Sequence, residues 1–405
     1  MQKEVEVSGK KKGKYRQSFV VVGLVMIAGL LLDLIGFTPI KMPAFPFNLY
    51  WGLGFINLML ISYLAFRNHR WLVWLSSVPA SVAAIIFYTF LILSMGFIPQ
   101  EGNADGMIGA FRLDQVISSW SFFLLQLFFL ITLGMVTLKR SIPFKWKNWG
   151  FILNHLGLWL IIFAAALGSG DFKRLKMAIP EGESENVAVA ENNQAYRMPF
   201  SIGLQDFMIR EYPPKLALIN LKERKIISTV MINASNPDNS YQLLDWKVNI
   251  TPSIMHHTTG LVQDTNGEEK SKFLVIASQN GQQHTGNLTP GAGAEANLMQ
   301  LSNQRALTIL PPEPQEFISE ITLSQHELQK EALVKVNHPV KFAGWNIYQF
   351  SYDQAAGKHS KYTVLELIRD PWLPVIYFAL GMMTIGAIYL GWMANQEKSK
   401  HHGVE

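Results

Sequence analysis

Cysteine occurs nowhere in the 405 residues. Disulfides, thiol redox chemistry and thioether attachment of a prosthetic group to this chain are therefore excluded. The absence leaves the compartment open, because an extracytoplasmic domain can fold without cysteine. Charge is also scarce: 16% of residues are Asp, Glu, Lys or Arg, against 49% hydrophobic. Familiar catalytic signatures are missing as well. There is no G-x-S-x-G elbow, no Gly-rich phosphate loop and no H-E-x-x-H pair. The net charge of +5 does not point to nucleic acid, because much of the excess lies in short segments flanking apolar runs.

What is present is divided sharply along the chain. Residues 18–168 are mostly long apolar runs, 170–371 read as a polar globular segment, and 372–394 are apolar again. By length the runs predict membrane spans near 18–37, 51–66, 71–97, 119–138, 149–168 and 372–394, the second being the shortest. The expected fold is an integral membrane α-helical bundle of about six spans with a large inserted external, mainly antiparallel β domain. Its parts are a basic N-terminus (1–17), a five-span domain (18–168), a β-rich domain (169–371), a last helix (372–394) and a tail (395–405). The first span follows "GKKKGKYRQ" and lacks a convincing small-residue cleavage site, so it reads as a retained helix.

Lys and Arg predict the sidedness. Fourteen lie in 1–17, in "RNHR", in "KRSIPFKWKN" and in the tail, whereas the alternate loops 38–50 and 98–118 hold only Lys41 and Arg112. Both termini are then expected in the cytoplasm and the large domain outside. Trp51, Trp71, Trp74, Trp120, Trp146, Trp149, Trp372 and Trp392 lie near expected span ends, as interfacial belts do. Asp33, in the last turn of the first span, has a simple reading as an interfacial, solvated carboxylate. A sharper one is a polar partner inside the bundle.

In the external domain, 198–209, 215–221, 245–250, 272–278, 345–353 and 361–368 carry strand signals, separated by turns such as "EYPPK" and "TPGAGAEAN". Only "SQHELQKEAL" (324–333) reads as helical. Periodicity leaves sandwich and barrel both open. The pair His256–His257 is read as exposed loop, since neighbours on a strand face opposite ways. His284, His326 and His359 are read as solvated, His338 before Pro339 as extended and structural, and His401–His402 as tail.

One stretch is unusual. "NHLGLWLIIFAAALGSGDFKRL" (154–175) places His155 just inside an apolar run, where an ionisable group is costly. His69, between Arg67 and Arg70, reads as solvated or lipid-facing, with a minor alternative in which these three gather carboxylates of a ligand.

Four segments resemble the ResB (CcsB-type) family of the System II pathway of cytochrome c biogenesis. They are 154–184, "RMPFSIGLQDFMIREYPPKLALI" (197–219), "VNHPVKFAGWNIYQFSYDQAAG" (336–357) and "RDPWLPVIYFALGMM" (369–383). The resemblance covers about 150–394; the first four spans match in layout. It implies a multi-pass protein of the bacterial cytoplasmic membrane with both termini cytoplasmic and the large domain periplasmic. It further implies that the chain helps carry haem b, bound non-covalently, across the bilayer. A CcsA-type membrane partner would then join haem to apocytochrome c. That partner's tryptophan-rich WWD segment is absent here, so the chain resembles an accessory subunit. His155 matches the family's intramembrane axial haem ligand, and a neutral imidazole suits iron. Left open at this level are a packing role for His155, and a membrane-anchored periplasmic binding, sensor or scaffold protein that never touches haem.

Overall fold

The computed structural model describes residues 2–38, 41–233, 239–253, 272–291 and 297–402. It divides into two compact units, 1–173 with 368–405, and 174–367. The first unit is helical: α1 (Gln2–Leu34), α2 (Phe47–Phe66), α3 (Arg70–Leu75), α4 (Val78–Ser94), α5 (Gly106–Ala110), α6 (Trp120–Ser141), α7 (Trp149–Gly168) and α8 (Leu373–His402). Among the described residues, five stretches are long and apolar enough to cross a membrane: Gly13–Leu34, Phe47–Phe66, Trp120–Ser141, Trp146–Gly168 and Leu373–Met393.

The expected span 71–97 is not one helix. It divides into α3 and α4, the latter a shorter apolar helix of 17 residues. Proline explains the break. Pro79 has no N–H to give the carbonyl of Leu75, four residues back, and its ring would collide with that carbonyl. α3 accordingly ends at Leu75, and Ser77 is extended (φ −101°, ψ 151°) before α4 begins.

α6 is the central helix. Its buried residues Leu125, Phe129, Leu130 and Leu133 pack with Val22 of α1, Met59 of α2, Ala84 and Tyr88 of α4, and Trp159 and Phe163 of α7. α8 packs on α7 along small residues. A Cβ on Gly157 would lie 2.7 Å from the Ala379 carbonyl oxygen, and one on Gly386 2.7 Å from the Asn154 nitrogen. Close backbone approach of this kind is how helices gain packing energy in lipid.

Asp33 is not a solvated interfacial carboxylate; it is 3% exposed. Its oxygens accept the backbone N–H groups of Trp120 (2.9 Å) and Ser121 (3.3 Å), with Arg112 Nε at 3.8 Å. The first N–H groups of a helix have no partner within it. Ser119 Oγ accepts the Phe122 N–H, and Asp33 caps the two residues before it from another helix. The polar-partner reading is the correct one.

The second unit is built of β1 (Lys173–Pro180), β2 (Ser184–Ala190), β3 (Ala195–Glu211), β4 (Lys215–Asn220), β5 (Lys225–Met231), β6 (Ser240–Leu243), β7 (Trp246–Ser253), β8 (Lys272–Gln279), β9 (Gln282–Leu288), β10 (Met299–Gln300), β11 (Arg305–Leu310), β12 (Pro314–Gln325), β13 (Leu328–Lys335), β14 (Val340–Phe342), β15 (Trp345–Tyr352) and β16 (Tyr362–Arg369). Eight strands form one sheet in the order β13-β12-β3-β2-β1-β16-β15-β14. It rolls into a near-barrel around Met177, Ile179, Ile202, Leu204, Leu323, Ile347 and Leu365. A tight turn with a Lys335–His338 bridge leads from β13 to β14, and inside the roll Ser319 Oγ of β12 donates to Gln349 Oε1 of β15 at 2.6 Å.

Residues between β3 and β12 form two four-stranded sheets, β10-β11-β4-β5 and β6-β7-β8-β9. They share a second core, Leu216, Leu218 and Ile309 against Trp246, Val248 and Val275. Sandwich and near-barrel therefore both occur, each with its own core.

The helix expected at 324–333 is a β-hairpin. β12 and β13 pair from Ile318↔Lys335 to Gln325↔Leu328, turning at His326 with φ 54°. The helix-forming residues of 328–333 are mostly exposed on an edge strand, where charge discourages further pairing. Cross-strand bonding and burial of Val334 outweigh local propensity. His326, His338 and His359 are exposed, but His284 is half-buried, edge-on to Trp246 at 5.7 Å. His256 and His257 lie outside the described residues.

Candidate functional site

Residues four apart on a helix share a face. Phe151, His155, Trp159 and Phe163 therefore form one aromatic stripe along α7. Trp159 sets its direction. The indole N–H donates to the Leu130 carbonyl at 2.9 Å, and the ring fits because Gly134 has no side chain, a Cβ there lying 3.1 Å from Nε1. Trp159 stacks on Phe163 with centroids 4.4 Å apart, and Phe55 of α2 stacks on both, at 6.4 and 6.1 Å.

One turn before Trp159, His155 is half-buried. Its Nδ1 lies 3.0 Å from the Phe151 carbonyl oxygen, and its ring stacks on Phe151 at 3.6 Å and 24°. A carbonyl oxygen only accepts, so Nδ1 carries the proton. Nε2 then holds the lone pair, which is the form of histidine that ligates a metal. Beyond Phe151 sits Arg140, its Cζ 4.7 Å from the centre of that ring. No cluster of three or more His, Cys, Asp or Glu suited to a metal ion occurs among the described residues. His155 by itself could supply one nitrogen donor to a metal.

Clefts open between the described helices. One, of about 360 Å³, runs between Tyr88, Phe122, Gln126 and Ile162; another, of about 140 Å³, between Trp51, Phe55, Leu130 and Leu167. His155 lines neither. His69 is exposed, 5.9 Å from Trp71, and neither Arg67 nor Arg70 contacts His155.

At the other end of α7, Asp171 ties three segments together. It accepts the Phe45 N–H (2.8 Å), the Asn48 side-chain amide (2.7 Å) and the Trp372 indole N–H (2.7 Å). Partial burial alone would raise its pKa. The three donated bonds and Arg369 outweigh that and hold it below the ordinary aspartate value. The bonds' contribution to stability is thus complete above the ordinary carboxylate range and disappears as pH falls through the lowered folded-state value. Asp171→Asn is expected to lower the melting temperature at neutral pH, with a loss that shrinks progressively as pH falls below the ordinary aspartate range; a loss independent of pH would contradict the ion's role. The signal was visible in sequence, since Asp171 is the first acidic residue after Asp114. Arg140 could not be found that way: it lies fifteen residues from His155, on another helix.

Apolar helices, one with an aromatic stripe that includes a half-buried imidazole, together with a large strand-built unit, define a multi-pass membrane protein with an extramembrane β domain. A family model described as the ResB-like family matches residues 144–224 and 272–362. The chain therefore carries a ResB-like family domain, and the matched residues include His155. Comparison with curated proteins finds no match. Among solved structures, one titled "Cytochrome c Heme Lyase CcmF" is similar over 84% of this chain and 42% of its own, at 11% identity and a TM-score of 0.24. This chain therefore spans less than half of that protein, and a likeness at that score carries no argument.

Proposed function

We propose that this protein is the haem-handling subunit of a System II complex, moving haem b across the cytoplasmic membrane for attachment to apocytochrome c by a CcsA-type partner. The observation that carries the reading is the state of His155. Its Nδ1–H is occupied by the Phe151 carbonyl, which leaves Nε2 available to iron within a membrane-spanning helix. His155 is the only histidine in a predicted apolar run, so a six-coordinate iron would draw its second ligand from the partner. That requirement supports a complex. The near-barrel and sandwich would receive the apocytochrome on the periplasmic side.

Co-purification with the CcsA-type partner tests this reading. A Soret band travelling with the complex is expected; its absence under conditions where both proteins are folded would favour a scaffold that does not touch haem. The orientation is tested separately. Reporters placed after Glu405 and within the exposed β2–β3 turn at 191–194 are expected to give opposite signals, because fourteen basic residues flank one side and two the other. Equal signals would overturn it.

A further inference from the structure

We infer that Arg140 is the cargo's carboxylate reader: it pairs with a propionate of the porphyrin whose iron His155 ligates, and so distinguishes the dicarboxylate macrocycle from neutral ones. This inference rests on the haem reading of His155. Three observations carry it. The first is position. Arg140, Phe151 and His155 form one continuous stack, the guanidinium carbon 4.7 Å from the Phe151 ring and that ring 3.6 Å from the imidazole. The same aromatic ring thus carries the guanidinium and the imidazole, one turn of α7 before Trp159.

The second observation is that the stack is braced. The Arg140 carbonyl accepts from the Asn148 side chain at 3.0 Å, which fixes the connection between α6 and α7. The guanidinium is exposed, yet it is set against an aromatic face. A guanidinium so placed keeps its fork of N–H donors for a planar carboxylate.

The third is charge. Between Asp114 and Asp171 the sequence contains no Asp or Glu, while Lys139, Arg140, Lys145 and Lys147 crowd this connection. Arg140 forms no ion pair among the described residues. Among the described residues the site is therefore cationic without compensation, beside an imidazole suited to iron. Haem b presents both matching groups, an iron and two carboxylates, on one rigid ring. Arg67 and Arg70, the residues that the sequence suggests for this task, make no contact with the stack.

The test uses the full chain purified with its CcsA-type partner, in zwitterionic lipid, titrated with iron protoporphyrin IX and with its dimethyl ester and followed by Soret absorbance. Wild type is expected to prefer the diacid over the diester by about tenfold, as one charge-assisted hydrogen bond provides. Arg140→Gln is expected to bring that ratio close to one while leaving diester binding unchanged, and Arg140→Lys to keep part of it. His155→Ala is expected to weaken both porphyrins alike. If Arg140→Gln leaves the ratio as in wild type while His155→Ala weakens both, the haem reading stands and this inference is overturned. The same holds if Arg140→Gln changes only the amount of anionic phospholipid retained. If wild type binds neither porphyrin, the haem reading fails and the inference falls with it. Arg140→Lys guards against misfolding: a well-folded Lys variant that keeps part of the preference beside a Gln variant with a ratio near one supports charge recognition.

Discussion

His155→Ala is expected to remove most of the haem retained by the complex, about tenfold or more, at nearly unchanged protein level. The size follows from the loss of an iron ligand, since even the outer partners of a metal ligand change affinity by about 10–100-fold. The unchanged protein level follows from the geometry. The imidazole is half-buried, and among the described residues its hydrogen bond runs to the carbonyl four residues earlier in its own helix. That carbonyl faces the N–H of His155 in the helical ladder, so alanine leaves no buried group without a partner. Added imidazole should restore part of the haem by filling the vacated coordination position, which a histidine needed only for packing would not permit. His69→Ala, at an exposed ring beside Trp71, should be much milder. Equal haem content and equal cytochrome c maturation in wild type and His155→Ala would refute ligation. Loss of the protein itself would assign His155 to packing.

Asp33→Ala should have the opposite signature: little specific effect on haem per folded molecule, and a large loss of folded protein. The carboxylate is almost fully buried and accepts two backbone N–H groups at the start of α6, the central helix of its unit. Alanine would leave both donors without a partner and the Arg112 guanidinium without its anion. Removing one member of such a buried arrangement costs about 3–5 kcal/mol, a large share of the stability of an ordinary domain. Asp33→Asn keeps an acceptor oxygen and should fall between. Thermal unfolding of the detergent-solubilised protein, with yield after size-exclusion chromatography, measures the effect. A melting temperature for Asp33→Ala within a degree or two of wild type would show that α6 is capped by other means.

The contrast between these two residues shows which features are local. His155 is legible because a titratable group in an apolar run is anomalous by itself, and because the residues around it resemble a family. Asp33 is equally anomalous in sequence, but its role depends on α6, 87 residues away. No span-length argument could bring Asp33 to that helix end. Asp171 is similar: its position after an apolar run is visible, while the three segments that it joins are not. The segment 324–333 failed in the other direction. Its Glu, Gln, Lys, Ala and Leu favour a helix locally, and only pairing with β12 holds it extended.

From sequence alone came the membrane class, the apolar runs, the balance of basic residues, the strand-rich insert and the histidine, since each depends on composition or on period along a single element. Burial, capping and stacking depend on which elements meet. The break at Pro79 shows the boundary between the two. Proline's effect on Leu75 is a property of five consecutive residues, yet the apolar run is unbroken across it, and hydropathy cannot see backbone geometry. The fold alone decided that Asp33 caps α6, that the β unit holds two cores, and that Arg140, not Arg67 or Arg70, lies over the Phe151 ring on which His155 stacks. Those outcomes depend on contacts between residues distant in the chain, and hydrophobic periodicity carries no information about which distant partner a side chain will find.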